Sequence, residues 1–376
     1  MKENYEVVIV GAGSMGMAAG YYISKLGINT LLLDRNNPPH ENGSHHGETR
    51  IIRHAYGEGS VYVPLALRAQ KLWKELEEES GINLFASTGV LSAGPPNSSF
   101  IEGVIKSAKE HSLPIEVLSS EEIRENWAGF TLPEEYIGCI ERSSGVLFSE
   151  SCIRAFKKLA QLHGAIIKPY TIVKNIELCS SGAVITTNEN TYYADAVVIS
   201  AGAWAQKFLS NLGKGTMLQP VRKTVSWFEC DRRQFSAKAF PAFTVDCLHS
   251  HYYGFPDFNG KGIKVGRHDG GEKIDPDKKI MPYGFYPKDE GDVRSFLKKF
   301  IPLGNGRLLK GSTCFYTLTK DEDFIIDRDM QFPNAIIAAG FSGHGFKFSS
   351  VIGEIIADLI VKGKTNHDLS AFKIDR

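Results

Sequence analysis

The stretch "YEVVIVGAGSMGMAAGYYISKLGINTLLLD", residues 5–34, constrains this chain more than any other. Residues 5–10 are a continuous apolar run stopped by glycine, the pattern of a strand buried on both faces. Residues 17–27 then read as a helix ending at Gly27, a C-capping residue. A second apolar run follows and ends in Asp34, so the opening is a complete βαβ unit. Within it each of three glycines has a physical task. Gly11 permits the tight turn, Gly13 lets backbone approach a pyrophosphate, and Gly16 lets the helix pack closely on the strand. The helix N-terminus suits the diphosphate, and the Asp34 carboxylate suits ribose hydroxyls. The unit predicts dinucleotide binding in an α/β fold.

Length then sets the organisation. At 376 residues the chain exceeds the size at which single cores stop growing, so two domains are expected. Lys plus Arg and Asp plus Glu both number 43, which gives no electrostatic reason to expect nucleic acid or membrane as a partner. No apolar run reaches the roughly 18 residues of a membrane span, and the N-terminus enters a strand without a signal-peptide pattern. A cytoplasmic protein is expected. Cys139, Cys152, Cys179, Cys230, Cys247 and Cys314 are far apart, with neither C-x-x-C nor metal-ligand spacing, so neither disulfides nor a metal are expected.

Two later segments repeat the logic of the first. A strand at 196–200 runs into Ala201-Gly202-Ala203 and a helix, returning backbone towards a bound dinucleotide and favouring FAD over NAD. A strand at 335–339 meets Gly340, Gly343 and Gly345 before a long helix carrying Ile352, Ile355, Ile356 and Leu359. That helix start could stabilise negative charge on a reduced flavin. Between the first unit and an amphipathic helix over residues 63–80 lies "GSHHGETRIIRHAYGEG". It reads as a basic loop, with His45, His46, Arg50, Arg53 and His54 crowded behind the cofactor fingerprint.

With these segments placed, the sequence resembles the covalent-FAD amine oxidases of the monomeric sarcosine oxidase and N-methyl-L-tryptophan oxidase family. The strings that carry the resemblance are "GAGSMGMAAGYY", "PPHENGSHHGETRIIRHAYGEG", "GVLFSESCIRAF", "YYGFP", "DEDFIID" and "AGFSGHGFKFSS", spread over nearly the whole chain. The resemblance implies a two-domain α/β (α+β) flavoprotein oxidase. Its Rossmann-like FAD-binding domain would gather residues 1–83, 148–217 and 320–376, and its mixed-sheet catalytic domain residues 84–147 and 218–319. It implies FAD attached as an 8α-thioether to Cys314. The counterparts of His46 and Arg50 lie against the flavin ring, and Ser44, Val173, Gly202, Gly343 and Gly345 are further cofactor positions. Arg53 and Lys347 would fix a substrate carboxylate, for which a planar guanidinium fork plus a point charge is well suited. Lys264 would stand over the flavin face where oxygen reacts, and His268, Tyr253 and Tyr316 would line the substrate pocket.

The implied reaction is oxidative N-demethylation of an N-methyl amino acid with dioxygen as acceptor, by a monomer. The products are formaldehyde, the demethylated amino acid and hydrogen peroxide. Substrate size stays open. "QPVRK", "FPAFT" and "HDGG" are nearer the N-methyltryptophan branch, where Thr244 replaces a larger Met of the sarcosine branch; "GVLFSESCIRAF" and "AGFSGHGFKFSS" are nearer sarcosine. The balance leans slightly to N-methyl-L-tryptophan. A nicotinamide-dependent dehydrogenase would explain the first fingerprint but not the later glycine turns or Cys314. A non-catalytic flavin-binding redox sensor would need neither Arg53 nor Lys347.

Overall fold

A computed structural model describes residues 3–213, 215 and 218–376 of the chain. Five parallel strands form the centre of one sheet, in the spatial order Ile166–Lys168, Thr30–Leu33, Glu3–Val10, Thr191–Ile199 and Ala335–Ala339. Antiparallel strands flank them: Ile325–Arg328 beside the last, and the hairpin Val173–Cys179/Gly182–Thr187 against Thr191–Ile199. The expected opening unit is present as Glu3–Val10, helix Ser14–Lys25 and Thr30–Leu33, with Gly27 in the left-handed region just beyond the helix. A β-carbon on Gly16 would lie 1.9 Å from the Gly11 carbonyl oxygen, so only glycine allows this helix-to-strand approach.

A second, largely antiparallel sheet draws its strands from residues 90–141 and 219–318. Its one parallel pairing among the described residues, Ala242–Asp246 with Val90–Gly94, makes it mixed, as expected. Within it Gln219–Phe228 pairs with Leu308–Leu318, placing Lys223 directly opposite Cys314. Part of the predicted basic loop is instead a strand, Thr49–Ile52. It pairs with Gly145–Phe148, which crosses the domain boundary expected at 147/148. Isoleucines at 51 and 52 favour that extended pairing over a solvated loop. The boundary expected at 217 lies outside the described residues.

The helix Val63–Ser80 shows how core packing reaches the site. Its buried stripe includes Leu65, Ala69, Leu72, Trp73 and Leu76, as the 3.6-residue period predicts. Fully burying one such large side chain is worth about 1.5–3 kcal/mol. Trp73 does more than fill space: its Nε1 donates to the Lys347 carbonyl at 2.8 Å. A core residue thereby holds a candidate site residue in place. No helix among the described residues is long and apolar enough to cross a membrane.

Candidate active site

Two adjoining cavities occupy the junction of the sheets. The larger, about 330 Å³, is lined by the three expected glycine turns: Gly11 and Gly13, Gly202, and Gly340, Gly343 and Gly345. Asp34, Ser44, Arg50, Val173 and Tyr316 complete the expected part of its wall. The helix Ser14–Lys25 begins there with neither a side-chain cap nor an acidic residue in its first turn. Its free N–H groups face the cavity, an arrangement suited to a diphosphate. Asp34 closes the neighbouring end; its Oδ2 accepts from Ala12 N and its Oδ1 from Asn36 N, both at 2.8 Å. His40 Nε2 lies 3.4 Å from Oδ1, while Oδ2 retains a second lone pair for a ribose hydroxyl. Backbone-lined, elongated and ending in an acid, the cavity fits a dinucleotide.

The smaller cavity, about 80 Å³, shares Arg50, Tyr316, Gly343 and Phe346 with the larger. Cys314, Tyr253, His268, Arg53 and Lys347 lie in its wall, on five separate chain segments. Cys314 is free, and it is the one cysteine in either wall among the described residues. Burial pushes its thiol up, against the opposing pull of Arg50, Lys223 and Lys264. Burial raises the phenols of both Tyr316 and Tyr253, that of Tyr253 to about 12. Burial holds His268 well below the ordinary imidazole range, so it is neutral at physiological pH.

Arg53 is already occupied. Its Nη2 donates to both carboxylate oxygens of Glu58 at 2.7 Å, and its Nη1 to Ala55 O at 3.1 Å. Burial opposes ionisation of Glu58, yet Arg53, His344 and Lys347 outweigh it and hold the carboxyl well below its usual range. Lys347 donates to Tyr56 Oη at 3.0 Å and to His344 O at 2.8 Å, without a carboxylate of its own in contact. Burial and the Arg53 cation pull its ammonium down to about 7. The site therefore holds one internal carboxylate, already taken by Arg53, beside a lysine that has no carboxylate partner, an arrangement able to receive a second carboxylate.

Gly16, His46 and Lys264 fall outside both walls. Gly16 serves packing alone. His46 is buried and neutral, pulled down to about 4 by burial and Arg50, while His45 takes the place in the larger cavity. The segment is a series of bends before the strand Thr49–Ile52, and it turns His45 rather than His46 into the cavity wall. Lys264 sits behind the smaller cavity, 4.4 Å from the ring of the wall residue Phe255. Its Nζ donates to Gly47 O at 2.5 Å, Thr49 O at 3.1 Å and Thr49 Oγ1 at 3.0 Å. Arg50 braces the same turn, donating to Ser44 O and Thr49 O at 2.7 Å and to His46 O at 2.6 Å.

Wall residues that sequence reasoning did not single out are Glu58, His251, His344, Arg35, Trp204 and Asp277. Glu58 and His344 are each flanked by glycines, a signal that was available. Nothing local marks the other four.

Three glycine turns around an elongated cavity, opening into a pocket of buried cations, define a dinucleotide-dependent oxidoreductase. The comparisons carry the assignment further: residues 6–359 match the family model described as FAD dependent oxidoreductase, and the chain belongs to that family. It is 52% identical to monomeric sarcosine oxidase of Arthrobacter sp. (strain TE1826), covering 100% of this chain and 97% of that protein. It is 43% identical to N-methyl-L-tryptophan oxidase of Yersinia pestis (strain Pestoides F), covering 99% of each. Among solved structures, glycine oxidase from Geobacillus kaustophilus superposes with a TM-score of 0.85 at 20% identity, covering 100% of this chain and 99% of that one. That likeness shows the fold.

Proposed function

We propose that this chain oxidises N-methyl amino acids at the N-methyl carbon, yielding formaldehyde and the demethylated amino acid, with dioxygen reduced to hydrogen peroxide. One observation carries the reading. Buried Arg53 and Lys347 stand in a small cavity that opens onto the dinucleotide cavity at Arg50, Tyr316 and Gly343. FAD, when bound, supplies the two-electron acceptor for the substrate and the donor for dioxygen. The residues that would hold it are Gly11, Gly13, Asp34, Ser44, Arg50, Val173, Gly202, Gly343 and Gly345, with Cys314 as the covalent attachment point. We assign the FAD-binding role to segments 1–83, 148–217 and 320–376, and the substrate role to 84–147 and 218–319.

The chain's own residues bind and orient. A substrate carboxylate exchanges with Glu58 at Arg53 and takes a second contact from Lys347, which fixes the molecule by its acid end. Tyr253, Tyr316 and neutral His268 line the remaining space without adding charge, so the amine is received in its neutral form. At about 80 Å³ against about 330 Å³ for the larger cavity, the smaller one suits a compact substrate. That matches sarcosine. We therefore favour the small end of the substrate range, against the sequence's lean to N-methyl-L-tryptophan, although Thr244 in the wall leaves room for growth.

The test is anaerobic. Sarcosine or another N-methyl amino acid should bleach the flavin absorbance of the purified protein, and kcat/KM should rank sarcosine first. Flavin that stays oxidised under every N-methyl amino acid would reject the proposal. Arg53→Ala should lower kcat/KM for carboxylate substrates by roughly tenfold or more, since a charge-assisted contact is worth about 1.5–3 kcal/mol. An N-methylamine lacking the carboxylate should lose much less; equal losses would reject the assignment of Arg53.

A pH dependence follows from Lys347. Its ammonium, at about 7 in the free protein, is charged below that pH and neutral above it. A bound carboxylate stabilises the charged form, so binding takes up a proton above pH 7. For a small carboxylate without an amine, affinity should be flat below about pH 7 and weaken by up to roughly tenfold per unit above it. Titration of the flavin spectrum measures this directly. Lys347→Met should bind more weakly and lose the dependence.

A further inference from the structure

The segment between the strand Glu272–Lys273 and the helix Lys288–Phe300 is a strap pinned at both ends to the strand Gln219–Phe228. Ile274 N donates to Pro220 O at 3.0 Å; Arg222 donates to Met281 O at 2.8 Å and to Pro282 O at 2.9 Å. Between the pins, "DPDK" turns sharply. Asp275 Oδ1 accepts from Asp277 N, and Asp275 O accepts from Lys278 N, both at 3.0 Å. Aspartate followed by proline is the preferred start of such a turn. The turn projects Asp277 away from its own sheet.

Asp277 lands on the dinucleotide fold. Its Oδ1 accepts from Trp204 Nε1 at 2.9 Å and from Arg35 Nη1 at 3.2 Å, while the Arg35 guanidinium lies 4.4 Å from the centre of the Trp204 ring. Arg35 directly follows Asp34, and Trp204 ends the turn that begins at Gly202. All three residues line the larger cavity, and among the described residues Asp277 is the only wall residue from 218–314.

We propose that Asp277, Arg35 and Trp204 form a latch that closes the cofactor cavity beside Asp34 and retains the dinucleotide there until the flavin is bonded to Cys314, so that it slows escape of FAD not yet bonded. A structural ion pair is the weaker explanation. The Asp277 and Arg35 side chains are 51% and 31% exposed, and an isolated pair so exposed adds little to stability. Its position across the cavity wall gives it a different use. One carboxylate oxygen gathers a cation and an indole N–H from two separate turns of the dinucleotide fold, so FAD can leave past this wall only after the contact opens. The same modest contribution to stability means that variants at Asp277 and Arg35 should fold.

The experiment measures release of FAD. It uses the flavin-loaded Cys314→Ala protein, in which FAD is free to dissociate. After dilution into buffer, the rise of free-flavin fluorescence gives the dissociation rate. Asp277→Ala should accelerate release by roughly two- to fivefold, the worth of one exposed ion pair. Arg35→Ala should do the same, and the double variant should be little faster than either, since both open one latch. Lys278→Ala, on the same strap but facing solvent, should release at the parent rate. The latch is overturned by an unchanged rate in Asp277→Ala, by additive effects of Arg35 and Asp277, or by equal acceleration in Lys278→Ala.

Discussion

Lys264→Met is expected to slow reaction of the reduced enzyme with dioxygen by about 10²–10³, the usual loss when one preorganised electrostatic group is removed. Electron transfer to dioxygen creates negative charge in a dry site, where a cation already in place stabilises it more strongly than water could. Burial and the neighbouring Arg50 push the Lys264 ammonium well below its ordinary range. Yet its Nζ meets three oxygen acceptors, which match the three donors of the charged form, and this geometry favours the cation. The residue backs onto the smaller cavity through Phe255. Methionine preserves length and burial while removing the charge. Stopped-flow absorbance separates the two half-reactions, and anaerobic reduction by substrate should suffer much less. Reoxidation at the wild-type rate would remove Lys264 from the oxygen step. With the charged form required, wild-type reoxidation should also slow as pH rises and Lys264 loses its proton.

Cys314→Ala should abolish covalent flavin completely while leaving the fold in place. A thiolate is the nucleophile such a bond needs, and burial alone would suppress it. Arg50, Lys223 and Lys264 act against that suppression, and Lys223 stands opposite Cys314 in the strand pair. Each of the other described cysteines lacks a place in either cavity wall. Acid precipitation provides the measurement: yellow colour should stay with the wild-type pellet and leave the variant's pellet for the supernatant. Colour retained by the variant pellet would mean that another residue carries the bond. Colour lost from the wild type would mean that the flavin is held without one.

The local elements were legible because their causes are local. The strand-glycine-helix opening, the helix over residues 63–80 and the strand at 335–339 each follow from apolar period and glycine placement within a dozen or so neighbours. The same reasoning reads residues 49–52 as loop, because two isoleucines favour a strand this short only once its partner at 145–148 is in place. Sequence also drew attention to Arg53 and Lys347, yet it gave no hint that Glu58 already holds the arginine.

By itself the sequence determined that this chain builds a dinucleotide cradle from three glycine turns, since backbone without a Cβ can approach a diphosphate wherever it is placed. The resemblance it carries also pointed to Cys314 and Lys264. Only the tertiary structure decided which side chains face that cradle. His45 rather than His46 reaches the cavity, Lys264 stands behind the wall instead of in it, and Asp277 meets Arg35 across 242 positions of chain. The reason is physical. Backbone conformation answers to near neighbours, but a side chain's partner is set by sheet register and strap reach, which exist only once distant segments have packed.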